Sequence, residues 1–184
     1  LVQEVHGNTT EMTHQLYHTR KHYHAFLNPH SNRSTGGTVT LIAKHAAPNA
    51  DDVDNNCVVA GRVQRTALTH NGTSVILWDI HNYGITTTEM HTISNLLDYD
   101  LSFARDHPLR YCVWIAGDLN FQNQADSRHF IATPTSTPST SPSQLAEHQP
   151  QWTTILDRLT EITQHAPIHF SPISDSYTRI DRVF

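Results

Sequence analysis

Apolar residues along the 184-residue chain fall into two rhythms. Short runs bounded by turn residues, at 38–43, 57–63, 74–82, 111–116 and 179–184, have the length and composition of β-strands. Several are apolar without interruption, as central strands covered on both faces are. Between them the apolar spacing changes to three and four. Segment 87–106 places Met90, Ile93, Leu96, Leu97, Leu101 and Ala104 on one stripe, and 150–165 does the same with Trp152, Ile155, Leu156, Leu159 and Ile162. Both are expected to be helices that dock on a sheet and carry no chemistry. A third helix is expected over 9–26. Strands alternating with helices give an α/β layered domain, and no internal repeat is visible.

Composition narrows the class. With 37% hydrophobic and 16% charged residues the chain is neither a disordered tract nor a membrane protein, since no apolar run approaches the roughly 20 residues of a bilayer span. A formal net charge of -5 excludes a broadly basic surface, so any polyanion must be met locally; the 15 histidines would move the balance toward basic on modest acidification. Cys57 and Cys112 lie far apart in apolar surroundings and make no metal or redox motif. They are expected to be buried thiols, which suits an intracellular setting. The chain begins at Leu1 and shows no leader resembling a signal peptide, so it is expected to be a piece of a longer polypeptide. Within a single domain over 1–184, segment 133–150 runs through Thr, Ser and Pro. It is expected to be a low-complexity surface insertion, because it has too few apolar residues to order itself.

Four places put polar side chains at the ends of apolar strands. Glu4 leaves the run Leu1-Val2-Gln3, where a solvated acid is the plainer reading. Alternation in the 74–82 strand sends Asp79 and His81 to one face, followed by Asn82; a hydrogen-bonded core pair and a functional pair fit equally. The apolar strand Val113-Trp114-Ile115-Ala116 breaks at Gly117 and releases Asp118 and Asn120, which point the same way if the backbone stays extended. A carboxylate that can bind a metal or orient water, beside an amide that can donate to a phosphate oxygen without adding charge, suits attack on a phosphate ester. A turn-capping Asp118 is the bland alternative. Last, Asp181 sits between Arg179 and Arg182 in a β-type run, where a surface ion-pair ladder explains the local pattern better.

In their order along the chain, Gln3-Glu4 after an apolar strand, the Gly36-Gly37 strand, Ile80-His81-Asn82, Gly117-Asp118-Leu119-Asn120-Phe121 and Thr178-Arg179-Ile180-Asp181-Arg182-Val183-Phe184 resemble the endonuclease/exonuclease/phosphatase superfamily. The resemblance covers essentially the whole chain. It implies a four-layered α/β sandwich, two packed mixed β-sheets flanked by helices. It also implies a metal-dependent phosphodiester hydrolase in which Glu4 binds Mg²⁺ or Mn²⁺, His81 contacts the scissile phosphate, Asp118 and Asn120 orient water and stabilise the transition state, and Asp181 supports a catalytic His. Asp79 replaces a more frequent Asn. Arg33 and Asn82 are candidate substrate contacts. Two family elements, an Asn-bearing strand and a Ser-Asp-His ending, would lie before Leu1 and after Phe184, so the segment alone is expected to be a poor catalyst.

Among superfamily members, the Thr-Arg-Ile-Asp-Arg stretch after Pro167-Ile168-His169-Phe170 looks like the endonuclease domains of non-LTR retrotransposons, and it lacks the Pro, Trp and Cys of inositol phosphatases. That likeness implies DNA as substrate, a reverse transcriptase domain in the same polypeptide and a nuclear site of action. A phosphatase or phosphodiesterase acting on inositol phosphates or lipids, and an inactive relic, are the alternatives. A separate idea is zinc chelation by His14, His18 and His22, which would share one face of a helix over 9–26.

Overall fold

A computed structural model of the chain describes residues 1–120, 127–130, 136–138, 148–162, 169–171, 176–178 and 181–184. Among the described residues, twelve strands and three α-helices follow in order. The N-terminal part contributes β1 (Val2–Gln3), α1 (Thr9–Gln15), β2 (Tyr23–Asn28), β3 (Thr38–Ala43), β4 (Val53–Val59), β5 (Val63–His70) and β6 (Thr73–His81). Then come α2 (Thr87–Asp106), β7 (Tyr111–Asp118), β8 (Ser127–Phe130), β9 (Ser136–Pro138), α3 (Gln149–Leu156), β10 (His169–Ser171), β11 (Ser176–Thr178) and β12 (Asp181–Val183).

Five strands make a mixed sheet in the order β12-β7-β6-β5-β4, antiparallel except for the parallel β6/β7 pair that α2 connects. The strands β1-β3-β2 make a second, antiparallel sheet, and β10-β11-β8-β9 a short antiparallel ladder. Three apolar clusters show how the layers stack. Met90, Ile93, Leu97 and Leu101 of α2 and Trp152, Ile155 and Leu156 of α3 pack on Ile76, Trp78, Ile80 and Ile115 of the five-stranded sheet. Each such side chain contributes on the order of 2 kcal/mol by leaving water. Ile42, Val53 and Leu68, with Phe26, Val75 and Leu77, join the two sheets face to face. On the outer side of the smaller sheet, Met12 of α1 packs with Val5 and Val39. The result is the expected four-layered sandwich, helix on sheet on sheet on helix.

Both N-terminal helix ends carry reciprocal capping boxes. Asn8 Oδ1 accepts from Glu11 N at 3.0 Å while Glu11 Oε2 accepts from Asn8 N at 2.7 Å; Thr86 and Glu89 repeat the device on α2. α2 has the bounds expected from its apolar stripe. The helix expected over 9–26 does not form: α1 stops at Gln15, a 3₁₀ turn covers Tyr17–Lys21, and β2 pairs with β3 over all six of its residues. His14, His18 and His22 therefore share no helical face, and no group of three or more His, Cys, Asp or Glu among the described residues is arranged to hold a metal ion. The strand expected over 57–63 is two strands, because Gly61 at φ 65° turns β4 into β5.

The cysteines are free thiols, but Cys57 is exposed on the edge strand β4, where a bulge follows it, and Cys112 is half-buried. Their apolar neighbours in sequence were not neighbours in the core. In segment 133–150, Ser136–Pro138 is paired as β9 against β8, since ladder hydrogen bonds need no apolar side chains, and Pro138 is tolerated at the sheet edge. Residues 133–135 and 139–147 lie outside the described residues. No described helix is long and apolar enough to cross a membrane.

Candidate active site

The site forms where β1, β6 and β7 end together. Gln3 ties them: its Oε1 accepts the Asp118 N–H at 2.8 Å, and its Nε2 donates to Asp79 Oδ1 at 2.9 Å and to the Ile80 carbonyl at 2.7 Å. Gly117, at φ 145°, leaves the space for this bridge, because a Cβ there would collide with the Ile80 carbonyl oxygen and with Gln3 Nε2. Beyond the bridge, His81 stands beside Asp118 in the parallel register, and Asp118 stands beside Asp181 across β7 and β12. Glu4, His81, Asn82, Asp118 and Asn120, all singled out from sequence, meet here. The Asp181 backbone joins them.

Glu4 and Asn120 are two of only three non-glycine residues with positive φ among the described residues, at 57° and 53°. The third, Asn71, is the hairpin residue before Gly72, where this conformation is usual. Left-handed backbone at Glu4 and Asn120 is locally unfavourable and held by the surroundings, as at functional sites elsewhere. It also changes the expected route of the Asp118 motif. The backbone is not extended through Asn120; instead Asp118 Oδ1 accepts the Asn120 N–H at 2.8 Å and closes a turn.

Glu4 is engaged at both oxygens. His6 Nε2 lies 2.7 Å from Oε2, and His81 Nε2 lies 3.1 Å from Oε1. Burial works against its ionisation, but the His6 hydrogen bond and the surrounding cationic groups outweigh burial and hold the carboxyl below its usual value. His81 is buried, and desolvation, against the pull of Glu4 and with the help of Arg62, pushes its pKa down to about 4. It is a neutral imidazole at physiological pH. Asp79 is fully buried, with Oδ2 lacking a hydrogen-bond partner, and desolvation pushes its pKa up to about 7.

Two candidate residues stand apart from the open part of the site. Asn82 is 0% exposed and spends its amide on the Leu119 carbonyl at 2.7 Å, while its own N–H donates to the Asp118 carbonyl at 2.8 Å. It braces the Asp118–Asn120 turn from a buried position. Arg33 lies on the loop before Gly36, 3.9 Å from Glu11, with two-thirds of its side chain in solvent; it touches none of the site residues. One residue was missed. Arg62, 5% exposed, donates from Nη1 to His81 Nδ1 at 2.9 Å and lies 5.1 Å from the Tyr83 ring centroid. An arginine inside an otherwise apolar run was the available signal.

Glu4 offers one carboxylate to a metal, but both of its oxygens face imidazole nitrogens, and an octahedral cation needs several oxygen ligands. The described residues do not by themselves fit a resident Mg²⁺ or Mn²⁺.

No protein-family model matches the chain, and neither does any curated protein. Solved structures do. An AP endonuclease from Leishmania major superposes with a TM-score of 0.66 at 14% identity, over 88% of this chain and 61% of that one. The endonuclease domain of TRAS1, a telomere-specific non-LTR retrotransposon, gives 0.50 at 13% identity, over 88% and 65%. TDP2 from D. rerio, complexed with a single-strand DNA product, gives 0.50 at 14% identity, over 98% and 67%. The chain has the endonuclease/exonuclease/phosphatase fold. It spans about 61% of the Leishmania protein's length. Within this fold, the Gln3 bridge and the Asp118–Asn120 turn lie where β1, β6 and β7 end.

Proposed function

We propose that the chain is the catalytic domain of a phosphodiester hydrolase acting on DNA, of the retroelement endonuclease type. The observation that carries this reading is the juxtaposition of Asp118, Asn120, His81 and Glu4 at the shared strand ends, bound together by Gln3. Their chemistry suits a phosphodiester. Asp118 orients an attacking water, the Asn120 amide and the His81 N–H donate to phosphate oxygens as charge builds on them, and none of those donors adds negative charge to the cleft. Asp181 pairs with Asp118 in register, and the family resemblance gives it the role of supporting a catalytic His. The Thr-Arg-Ile-Asp-Arg stretch supports the retroelement assignment, under which a reverse transcriptase in the same polypeptide would use the nick and the protein would act in the nucleus.

Substrate choice is tested directly. The chain, expressed in its native polypeptide, is offered supercoiled plasmid, an inositol polyphosphate and a phosphodiester lipid, each with Mg²⁺ and with EDTA. Nicking of plasmid with no phosphate released from the other two supports the proposal. Turnover of the inositol phosphate or the lipid in preference to DNA overturns the substrate, and undiminished nicking in EDTA overturns the divalent-metal dependence that the family resemblance implies.

A further inference from the structure

Arg62 is enclosed in a way that gives its guanidinium one orientation. It follows the Gly61 turn, and its backbone carbonyl accepts the His81 N–H at 2.8 Å, which ties the two residues at the main chain. The Tyr83 ring centroid lies 5.1 Å from Cζ, and Gly36 approaches so closely that a Cβ there would sit 2.7 Å from Nη1. The Tyr83 ring also stacks on the His81 imidazole, at 6.1 Å and 14°. No carboxylate among the described residues forms an ion pair with Arg62; its partner at the tip is His81 Nδ1, 2.9 Å from Nη1.

A guanidinium carries donors and no acceptor. At 2.9 Å the imidazole nitrogen facing it must be the acceptor, because a proton on Nδ1 would set two N–H groups against each other. The ring proton then sits on Nε2, the nitrogen 3.1 Å from Glu4 Oε1, to which it donates. The two sides of the ring agree: a donor-only group on one, an acceptor-only carboxylate on the other.

We propose that Arg62 is a positioning residue that locks His81 in the Nε2–H tautomer, so that the imidazole turns a hydrogen-bond donor, and not a base, toward Glu4 and the cleft beside it, where a phosphate oxygen would share or take over that N–H. The lock stands on geometry; its use on a phosphate rests on the phosphodiesterase reading above. A base would need a bare Nε2, and the lock denies it. Arg62 acts through His81 and takes no part in the bond-breaking itself.

Histidine side-chain ¹⁵N spectra at pH 7.5 read the tautomer without reference to activity. The native protein should show His81 protonated at Nε2, with Nδ1 as an accepting nitrogen. Glu4→Gln removes the carboxylate that could impose the same tautomer, yet the Nε2–H form should persist; adding Arg62→Met to it should give a mixture of tautomers. An Nδ1–H form in the native protein, or mixing with Glu4→Gln alone, would overturn the lock. Neither of those spectra needs a change at the buried Arg62, so a variant that fails to fold leaves the test intact. In plasmid nicking, Arg62→Met should lower kcat by about tenfold or more with KM within about twofold, and Arg62→Lys, which keeps a donor, should recover most of the loss. A raised KM with unchanged kcat would assign Arg62 to phosphate binding and overturn the positioning role. Absence of nicking by the native protein would sink the phosphodiesterase reading, while the spectra still decide the tautomer.

Discussion

Replacing Asp79 by Asn should stabilise the protein, and by an amount that depends on pH. The carboxyl is fully buried between β1 and β6, with Oδ1 accepting from Gln3 and Oδ2 without a partner. Desolvation raises its pKa from 3.8 to about 7. The folded protein thus holds the Asp79 proton more tightly than the unfolded chain. Its contribution to stability is fully present below about pH 4 and is lost as pH rises toward 7. A tenfold difference in proton affinity corresponds to about 1.4 kcal/mol, so the native protein loses on the order of 4 kcal/mol across that window. The amide of the Asp79→Asn variant would keep the acceptor for Gln3 and carry no ionisable group. Its nitrogen replaces an equally unpartnered oxygen. The difference in urea-unfolding free energy between variant and native protein should therefore be near zero at about pH 3.5 or below, grow through about pH 5 and 6, and level off above about pH 7.5. All other titrating groups cancel in that difference. A difference that stays constant from pH 4.5 to 8.5 would refute the argument that Asp79 is buried with a displaced pKa.

Other substitutions probe the frame around the site. Gly117→Ala should cost at least about 2 kcal/mol in urea unfolding, because φ 145° and the collision of an added Cβ with the Ile80 carbonyl and the Gln3 amide force β7 or Gln3 to move; an unchanged midpoint would mean that the Gln3 bridge is not formed. Asp100, 1% exposed, accepts from Arg65 Nε at 2.8 Å, Arg65 Nη2 at 2.9 Å and Trp78 Nε1 at 2.9 Å. Asp100→Ala strands a guanidinium and an indole N–H and should cost roughly 3–5 kcal/mol by thermal or urea melting, whereas a loss under 1 kcal/mol would contradict the network. Gln3→Ala should leave the global fold standing but lower nicking by about tenfold or more, since it frees the Asp118 N–H and the Asp79 carboxyl together.

Much of this architecture was legible in sequence where side-chain burial alone decides the element. The stripe from Met90 to Leu101 is buried on α2, and the uninterrupted apolar run around Trp78 is a central strand, whereas the run around Ile115, also central in the sheet, buries Ile115 but leaves Trp114 exposed on its other face. The residues 14–24 were not legible. A His-rich run has no strong pattern, and the strand at Tyr23–Asn28 exists because β3 is there to pair with it, which is a tertiary fact. The Gly61-Arg62 turn was hidden for a related reason: apolar residues on either side read as one strand, although only Gly61 can take the left-handed turn between them. At the site, alternation correctly put Asp79 and His81 on one face, where they meet Gln3 and Glu4. The positive φ at Asn120 left no mark in the residue order, nor did the burial of Asn82. Both follow from how β6 and β7 end against β1.

The central claim is that the Asp118 turn is a phosphodiester-cleaving centre. Its most direct test is the rate of supercoiled plasmid nicking in Mg²⁺ by the native polypeptide and its Asp118→Ala variant, with circular dichroism confirming that both fold. Removing the carboxylate should lower the rate by about 100-fold or more. Nicking by Asp118→Ala within about threefold of the native rate, a difference worth under 1 kcal/mol, would contradict the account.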